Sequence, residues 1–260
     1  MIHLLSPAKS LDFNQETPLD EYSVPNYLEN SEKLIKKLSK FSHKKLKSLM
    51  SISDDLARLN ADRYSEWKGK REIGATSRQA LFVFTGDVYQ GLDAKTLSKS
   101  SIEYAQNHLL ILSGLYGALR PLDIIEPYRL EMGTRLKVGR PNNLYEFWGS
   151  QPTDLINDQL KNQHEKTIIN LASNEYFKVV NSKKLDGDII SPVFKDAKNG
   201  QYKIISFFAK KARGLMSRYI IDNKIANSDE LQGFDLDGYR FNSEMSTRNK
   251  PVFTREENQK

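Results

Sequence analysis

Short apolar runs alternate with segments of helical spacing along most of the chain, and this alternation constrains the fold most. Several runs of apolar, β-branched or aromatic residues have the length of buried strands. They lie at residues 2–5, 81–84, 109–112, 168–171, 189–194 and 203–208. In the first quarter, apolar residues such as Leu34, Leu38 and Phe41 recur with helical spacing. The pattern predicts a mixed α/β (α+β) fold with a central mixed sheet and a helical N-terminal quarter.

Two Xaa-Gly pairs predict tight turns between strands. Asn199-Gly200 lies within PVFKDAKNGQYKIISFF, where strand-like residues flank two residues that tolerate the positive φ of a hairpin turn. Asp237-Gly238, within FDLDGYRF, predicts a second and shorter hairpin for the same reason. Hairpins beside buried strands are the reason for preferring a mixed sheet to a doubly wound parallel one.

Length and composition limit the number of domains and the location. The chain has 260 residues, of which 38% are hydrophobic and 28% charged, and we expect a single domain over residues 1–260. No apolar run approaches the roughly 18 residues of a membrane span, and the first residues lack the pattern of a signal peptide. The absence of cysteine excludes disulfides and thiolate metal sites. We therefore expect a cytoplasmic, monomeric protein without membrane association.

The excess of positive charge is concentrated in two parts of the chain. The formal net charge is +6, residues 194–218 hold seven basic residues and one aspartate, and residues 31–49 hold seven lysines and one glutamate. Basic clusters on an otherwise balanced chain indicate an anionic partner such as nucleic acid or phosphate. A solvated helix face explains residues 31–49 equally well.

Polar segments follow the predicted strands. SPAKS, TGDVYQG, SGLYGALRP, ASNEY and AKKARG each begin where such a run ends. Ligands of open α/β sheets bind beyond the carboxyl ends of the strands, so we expect one basic cleft there. The basic residues in these segments are Lys9, Arg120, Lys210, Lys211 and Arg213. Gly114 and Gly117 fit the start of a helix that receives an anion, although turn geometry is the commoner reason for glycines at such positions.

The segment RPLDIIEPYRLEMGTRL, residues 120–136, contains three arginines, three carboxylates and two prolines. Exposed ion pairs contribute only about 0–1 kcal/mol each, so surface pairing explains this composition poorly. Prolines stiffen the segment, and arginine forks match phosphate oxygens bidentately. We interpret the segment as a rigid cleft wall in which carboxylates orient Arg129 and Arg135 towards an anion. A structural ion-pair knot is the alternative.

The sequence contains none of the common catalytic or metal-binding patterns. Its four histidines have no metal-ligand spacing, and no P-loop, G-x-G-x-x-G or G-x-S-x-G motif is present. Ser6 and Lys9 can be drawn as a serine nucleophile beside a lysine base, but loop and anion contacts are the simpler interpretation. We therefore predict no metal and no cofactor, and we assign no catalytic residue.

Six blocks of the sequence resemble a known bacterial family. They are LLSPAKSLDF, FTGDVYQGLDA, ILSGLYGALRPLDIIEPYRLEMGTRL, NLYEFWG, NLASNEYFKVV and YKIISFFAKKARGLMSRYII. In this order they are similar to the YaaA peroxide-stress proteins. The resemblance implies a protein that limits damage linked to unincorporated iron under hydrogen peroxide. It also implies a positively charged cleft and binding to double-stranded DNA through a helix-hairpin-helix element, but no reaction.

Residues 44–67, KKLKSLMSISDDLARLNADRYSEW, are where that element is expected. The segment fits a helix ending near Met50 and a second helix beginning at Asp54, with Ser53 as its N-cap. The connection lacks the glycines that normally let a hairpin backbone approach a phosphate, so side chains become the candidate contacts. These are Lys45, Lys47, Ser51, Ser53 and Arg58. An ordinary helical pair packed on the core is the alternative.

Two functions from different classes fit the sequence. The first is a DNA-binding peroxide stress protein that contacts duplex phosphates with little base specificity. The second is an enzyme of unassigned reaction on a nucleotide, nucleobase or other small anion in the basic cleft. A DNA binder spreads its basic residues over a surface, whereas an enzyme gathers them around one pocket. The candidate DNA- or anion-binding residues outside 44–67 are Lys9, Arg120, Arg129, Arg135, Lys210, Lys211, Arg213 and Arg218.

Overall fold

A computed structural model describes residues 1–14 and 17–257. The strands are β1 (Ile2–Leu5), β2 (Ser10–Leu11), β3 (Arg78–Gln79), β4 (Phe84–Thr85), β5 (Leu109–Ser113), β6 (Gly117–Leu119), β7 (Ile124–Ile125), β8 (Thr167–Asn170), β9 (Asp188–Ile190), β10 (Val193–Lys198), β11 (Gln201–Lys203), β12 (Tyr239–Phe241) and β13 (Val252–Arg255). The α-helices are α1 (Leu28–Leu38), α2 (His43–Met50), α3 (Asp54–Glu66), α4 (Ala80–Val83), α5 (Asp87–Leu92), α6 (Lys99–His108), α7 (Leu144–Trp148), α8 (Gln151–Lys161), α9 (Asn174–Phe177) and α10 (Ser206–Asp222). Short 3-10 helices lie at Ala94–Thr96, Ser182–Lys184, Ser228–Gly233 and Leu236–Gly238.

The central sheet has the strand order β6-β5-β1-β8-β9. Its strands β5, β1, β8 and β9 are parallel, whereas β6 pairs with β5 in the antiparallel direction. Every residue of β1 and β5 is buried, which explains why both read as continuous apolar runs rather than alternating ones. The predicted mixed sheet is confirmed. The ends of β1, β5, β8 and β9 at Leu5, Ser113, Asn170 and Ile190 share one edge, here called the carboxyl edge.

A second sheet has the order β11-β10-β13-β12. The hairpin predicted at Asn199-Gly200 is confirmed: both residues have positive φ, 52° and 72°, and Lys198 pairs with Gln201 across the turn. The prediction of a second hairpin at Asp237-Gly238 is wrong. Asp237 and Gly238 do have positive φ, but β12 after them pairs with β13, and a 3-10 turn precedes it.

Three further predictions from apolar runs are wrong. Residues 81–84 fall mostly in α4, and residues 203–208 divide between the end of β11 and the first turn of α10. Residues 189–194 belong to two strands in different sheets, β9 and β10. Residues 81–84 are all buried, and in a buried run periodicity cannot distinguish a strand from a helical turn. The run at 203–208 is different, since Ile204 and Phe207 are exposed at the start of α10.

The turn after β5 also differs from the prediction. No helix follows it, because β5 turns directly into β6 and Ser113 pairs with Gly117. Gly117 has a φ of 73°, and a Cβ there would lie 2.9 Å from the Trp148 ring. The glycines are therefore required by geometry, and this turn has no helix N-terminus to receive an anion.

Helices α1, α2 and α3 lie in the predicted N-terminal region. Ser51, in the left-handed conformation with φ 52°, ends α2, and Ser53 begins α3 by accepting a hydrogen bond from the Leu56 N–H at 3.3 Å. The predicted helix end near Met50 and helix start at Asp54 are thus confirmed. Whether this pair acts as a helix-hairpin-helix element stays a prediction.

Helix α10 lies across the central sheet, antiparallel to β1. Ser217 in its middle is 3.0 Å from Nε2 of the buried His3. At the end of the helix, the Ile225 carbonyl accepts a hydrogen bond from Tyr104, whose ring stacks on His108 beside the Met1 carbonyl. The C-terminal end of α10 therefore lies near the start of β1, and its N-terminal half extends towards the carboxyl edge.

Gly91 and Gly214 allow α5 to pack closely on α10, because a Cβ at Gly214 would collide with the Val88 carbonyl. One hydrophobic cluster joins residues from Met1 to Phe253. Within residues 1–14 and 17–257, no helix has both the length and the apolar character needed to cross a membrane.

Candidate functional site

Ser6 follows β1 at the carboxyl edge and ties two other segments to it. Its Oγ accepts a hydrogen bond from the Ser173 N–H at 2.9 Å and donates to Ser173 Oγ at 3.3 Å. The Tyr89 hydroxyl donates to the Ser6 carbonyl at 3.1 Å. The SPAKS, ASNEY and TGDVYQG segments therefore converge at Ser6. Its hydroxyl bonds Ser173 rather than Lys9, so the serine–lysine arrangement considered from the sequence is not formed.

Lys9, three residues after Ser6, shares one carboxylate with Arg129. Lys9 Nζ is 3.0 Å from Glu131 Oε2, and an Arg129 terminal nitrogen is 3.1 Å from Glu131 Oε1. The Lys9 side chain is 60% exposed and that of Arg129 only 14%, so Lys9 is the more accessible partner of the two. We call Ser6, Lys9, Arg129, Glu131 and Ser173 the strand-end site.

The backbone that carries Arg129 and Glu131 is held at several points. The Tyr64 hydroxyl donates to the Arg129 carbonyl, and the Gly133 N–H donates to Glu175 Oε1 at 2.9 Å. A Cβ on Gly114 would collide with the carbonyl of Leu130, which lies between Arg129 and Gly133. The turn after β5 therefore packs backbone to backbone against residues 129–133. The strand-end site is thus attached to a rigid frame.

Buried phenols lie behind this frame. Burial raises the pKa of Tyr176 well above its ordinary value, and the Glu175 and Glu131 carboxylates act in the same direction. Burial likewise raises the pKa of Tyr89 well above its ordinary value. Both phenols therefore stay protonated, and that of Tyr89 donates to the Ser6 carbonyl.

The remaining arginines of residues 120–136 have different environments. Arg120 forms an ion pair at 2.9 Å with Asp123, whose side chain is fully buried, and donates to the Val24 carbonyl at 3.0 Å. The buried Glu126 accepts hydrogen bonds from the backbone N–H groups of Lys68 and Lys70. Arg135 is exposed and has no ion-pair partner within the described residues. The first half of the segment thus forms a structural ion-pair knot, and the second half contributes Arg129 and Glu131 to the strand-end site.

The basic residues of α10 also separate into two groups. Lys211 forms an ion pair with Asp237 at 3.3 Å, and Arg218 donates to the Asp93 carbonyl at 2.9 Å while pairing with Asp222. These contacts hold α10 against its neighbours. Lys210 is exposed and Arg213 partly buried, and neither has a carboxylate partner within the described ranges.

The candidate contacts of the α2–α3 pair are largely engaged within the protein. Asp54 lies 3.8 Å from Lys47 and 2.9 Å from Arg58, and the Arg58 hydrogen bond holds the pKa of Asp54 below its ordinary value. Lys45 lies 3.9 Å from the centre of the Phe41 ring. Ionised carboxylates in the first turn of α3 repel a phosphate, so this turn is a poor phosphate site.

A broader basic surface surrounds α1 and α2. It consists of the exposed lysines Lys33, Lys36, Lys37, Lys40, Lys44, Lys45 and Lys47, here called the α1–α2 lysine surface. Within the described residues, only Lys47 among the seven has an ion-pair partner. The sequence identified this cluster but singled out Lys45 and Lys47, whose side chains contact Phe41 and Asp54; Lys37 also lies 5.6 Å from the centre of the Phe41 ring.

Comparison with known proteins relates these features to a family. A family profile described as "Peroxide stress protein YaaA" matches residues 1–245. The chain belongs to this family. A "UPF0246 protein" from Aliivibrio fischeri (strain ATCC 700601 / ES114) is 54% identical over 260 residues, covering 100% of both chains. Another, from Shewanella woodyi (strain ATCC 51908 / MS32), is 52% identical and covers 99% of this chain and 100% of its own length. The resemblance read from the sequence is confirmed.

In this YaaA-family chain a cavity of about 1000 Å³ lies away from the strand-end site. Its lining includes Thr167 and Asp188, at the starts of β8 and β9, and Arg248 and Asn249 from the loop before β13. It therefore lies along the outer strand β9, all three residues of which line it. None of the candidate basic residues lines it, and a basic cleft at the carboxyl edge stays a prediction.

Sequence reasoning missed Ser173 and Tyr89 as members of the site region. Both lie in segments that follow predicted strands, ASNEY and TGDVYQG, so position alone could have identified them. The contact of Lys9 with Glu131 carries no signal in the sequence, because it joins residues from distant parts of the chain.

Proposed function

We propose that this YaaA-family protein is a cytoplasmic, monomeric, single-domain protein that binds double-stranded DNA and limits damage linked to unincorporated iron during peroxide stress. The family description supports the peroxide part of the proposal. The α1–α2 lysine surface is the observation that supports DNA binding, since six of its seven lysines have no carboxylate partner within the described residues.

Unpaired, exposed lysines favour a polyanion for a physical reason. Each one that meets a duplex phosphate releases a condensed counterion, so the gain in entropy adds with each contact. A lysine already paired with a carboxylate must first give up that partner. Contacts of this kind position the protein on the duplex without reading its bases, so we expect little sequence preference.

Charge reversal on this surface tests the proposal. We expect Lys40→Glu/Lys44→Glu to weaken binding of a duplex, measured by fluorescence anisotropy, by at least tenfold at low salt. The slope of log affinity against log salt should fall by about 0.9 for each phosphate that the variant no longer neutralises. The matched control is Lys183→Glu/Lys184→Glu, which changes the same number of exposed lysines outside the α1–α2 lysine surface.

The control should bind with nearly the wild-type slope. If the α1–α2 variant and the wild type have equal affinities and equal slopes, the lysine surface does not bind duplex DNA. If wild-type binding is independent of salt, phosphate contact is not the basis of binding at all.

The strand-end site favours a second candidate function, an enzyme of unassigned reaction on a nucleotide, nucleobase or other small anion. The observation is that Lys9, three residues after Ser6, meets Arg129 at the Glu131 carboxylate, and that three segments that follow strands converge at Ser6. Cations gathered on a rigid frame suit a small anion better than an extended duplex. Saturable binding of a small anion that survives Lys40→Glu/Lys44→Glu would support this function independently of DNA.

A further inference from the structure

Arg213 on α10 is unusual among the arginines of the central sheet region. Its side chain is partly buried, yet no carboxylate or carbonyl within the described residues accepts a hydrogen bond from it. Burial lowers the pKa of its guanidinium, which means that removal from water is not compensated. A desolvated cation without a partner is costly, and such groups concentrate where a ligand supplies the missing charge.

The position of Arg213 follows from the packing of α10 on β1. Ser217, which bonds His3, lies one helical turn after Arg213 on the same face of the helix. Arg213 lies about 6 Å nearer the N-terminus of α10 than Ser217 does, and α10 is antiparallel to β1. Arg213 is therefore closer to the carboxyl edge than Ser217 is, and the tilt of helical side chains towards the N-terminus directs it further in that direction.

Lys210 extends the same face by one more turn. It is three residues before Arg213, so its side chain is a neighbour of the guanidinium on the helix surface. It is exposed and has no ion-pair partner within the described residues. Lys210 and Arg213 thus form a short basic pair on the helix surface, in the half of α10 that extends towards the carboxyl edge.

We infer that Arg213 and Lys210, together with the strand-end site, bind a phosphate monoester. This inference rests on the second candidate function and names its ligand class. A guanidinium fork binds two phosphate oxygens in parallel, and an ammonium group binds the third as a point charge. A phosphate monoester carries about −1.5 to −2 charges near neutral pH, and it would therefore supply the negatively charged partner that Arg213 lacks within the described residues.

The monoester belongs either to a free nucleotide or to a phosphorylated end of DNA. Isothermal titration calorimetry of the full chain separates these sources. The probes are inorganic phosphate, adenosine 5′-monophosphate, adenosine, and a hairpin duplex with or without a 5′-phosphate. We expect phosphate and the nucleotide to bind saturably, and we expect Arg213→Gln to weaken both by about 10- to 100-fold.

Two further variants make the test specific. Lys210→Gln changes an exposed side chain that is not needed for folding, and it should also weaken phosphate binding. Lys44→Gln removes a lysine of the α1–α2 surface, so it should leave phosphate binding unchanged. Arg213→Met should raise the melting temperature without phosphate, because it removes an uncompensated buried charge, and should abolish the increase that phosphate causes in the wild type.

The outcomes distinguish the inference from the function on which it rests. If adenosine binds but phosphate does not, the phosphate site is wrong and a small-molecule site survives. If no probe binds the wild type, both are wrong. Phosphate binding that is unchanged in Arg213→Gln and Lys210→Gln, or a lowered melting temperature of Arg213→Met, also overturns the inference. A gain in affinity only with the 5′-phosphorylated hairpin assigns the site to DNA ends.

Discussion

His3 makes the stability of this protein dependent on pH. It lies in the central strand β1 with no exposed surface, and its Nε2 is 3.0 Å from Ser217 Oγ. Its Nδ1 is buried and has no hydrogen-bond partner within the described residues. Burial, with a smaller contribution from His108, lowers the pKa of His3 from 6.5 to about 3. The native protein therefore holds this imidazole neutral over most of the acidic range.

The sign of the effect follows from linkage. Between pH 6.5 and about 3 the unfolded chain binds a proton at His3 that the folded chain does not. The contribution of His3 to stability is complete above pH 6.5 and is lost as the pH falls. Each pH unit corresponds to about 1.36 kcal/mol, so at pH 4.5 the free energy of unfolding falls by roughly 2.7 kcal/mol. His108, whose pKa burial also lowers, acts in the same direction.

The assay is urea denaturation of wild type and His3→Gln at several pH values from 7.5 to 4.5. Glutamine keeps an amide that can bond Ser217 but does not titrate. We expect His3→Gln to be less stable than the wild type at pH 7.5, because packing changes. The variant should lose less stability on acidification, so the difference in free energy of unfolding between wild type and variant should narrow by about 2.7 kcal/mol at pH 4.5. The control, His164→Gln at an exposed position, should keep the wild-type slope. Parallel pH profiles of wild type and His3→Gln would refute the reasoning.

Two further predictions concern a buried ion pair of the second sheet and the metal content of the protein. Asp196→Ala removes the carboxylate 2.7 Å from the guanidinium of Arg255, which is 3% exposed, and leaves Asp237 at 2.8 Å as the remaining ion-pair partner, so it should lower the free energy of unfolding by about 3 kcal/mol; a decrease below 1 kcal/mol by urea denaturation would contradict the buried ion pair. The purified protein should contain no stoichiometric metal by elemental analysis and should melt at the same temperature in a chelator; one iron or zinc per chain would overturn this prediction.

Local signals in the sequence predicted the parts of the fold that depend on neighbours along the chain. Asn199-Gly200 predicted its hairpin because the turn requires two residues with positive φ, and Ser53 predicted the start of α3 because a cap acts within one turn. The run at residues 81–84 gave the wrong element because it is buried on all sides, which removes the periodicity on which the prediction depends.

The candidate site was predicted less completely because its contacts are long-range. The sequence showed that Glu131 lies near Arg129 but not that Lys9 approaches it from the end of β1. It also contained a signal that was not used. Asp54 precedes Arg58 by four residues on a helix, a spacing that favours an ion pair and withdraws Arg58 from a ligand.

The two basic clusters of the sequence have similar charge but differ once folded, and the difference depends on where carboxylates and carbonyls lie. In residues 194–218, Lys211 and Arg218 form ion pairs, whereas Lys195, Lys198, Lys203, Lys210 and Arg213 have no ion-pair partner within the described residues. Of these five, Lys210 and Arg213 form the compact pair that we propose as part of a phosphate site. In residues 31–49, helices α1 and α2 present exposed lysines of which most have no partner within the described ranges. A compact pair suits a single phosphate, whereas a spread of unpaired lysines suits a row of them. A steep dependence of duplex binding on salt should therefore originate at α1 and α2, and replacing Arg213 should leave that slope unchanged.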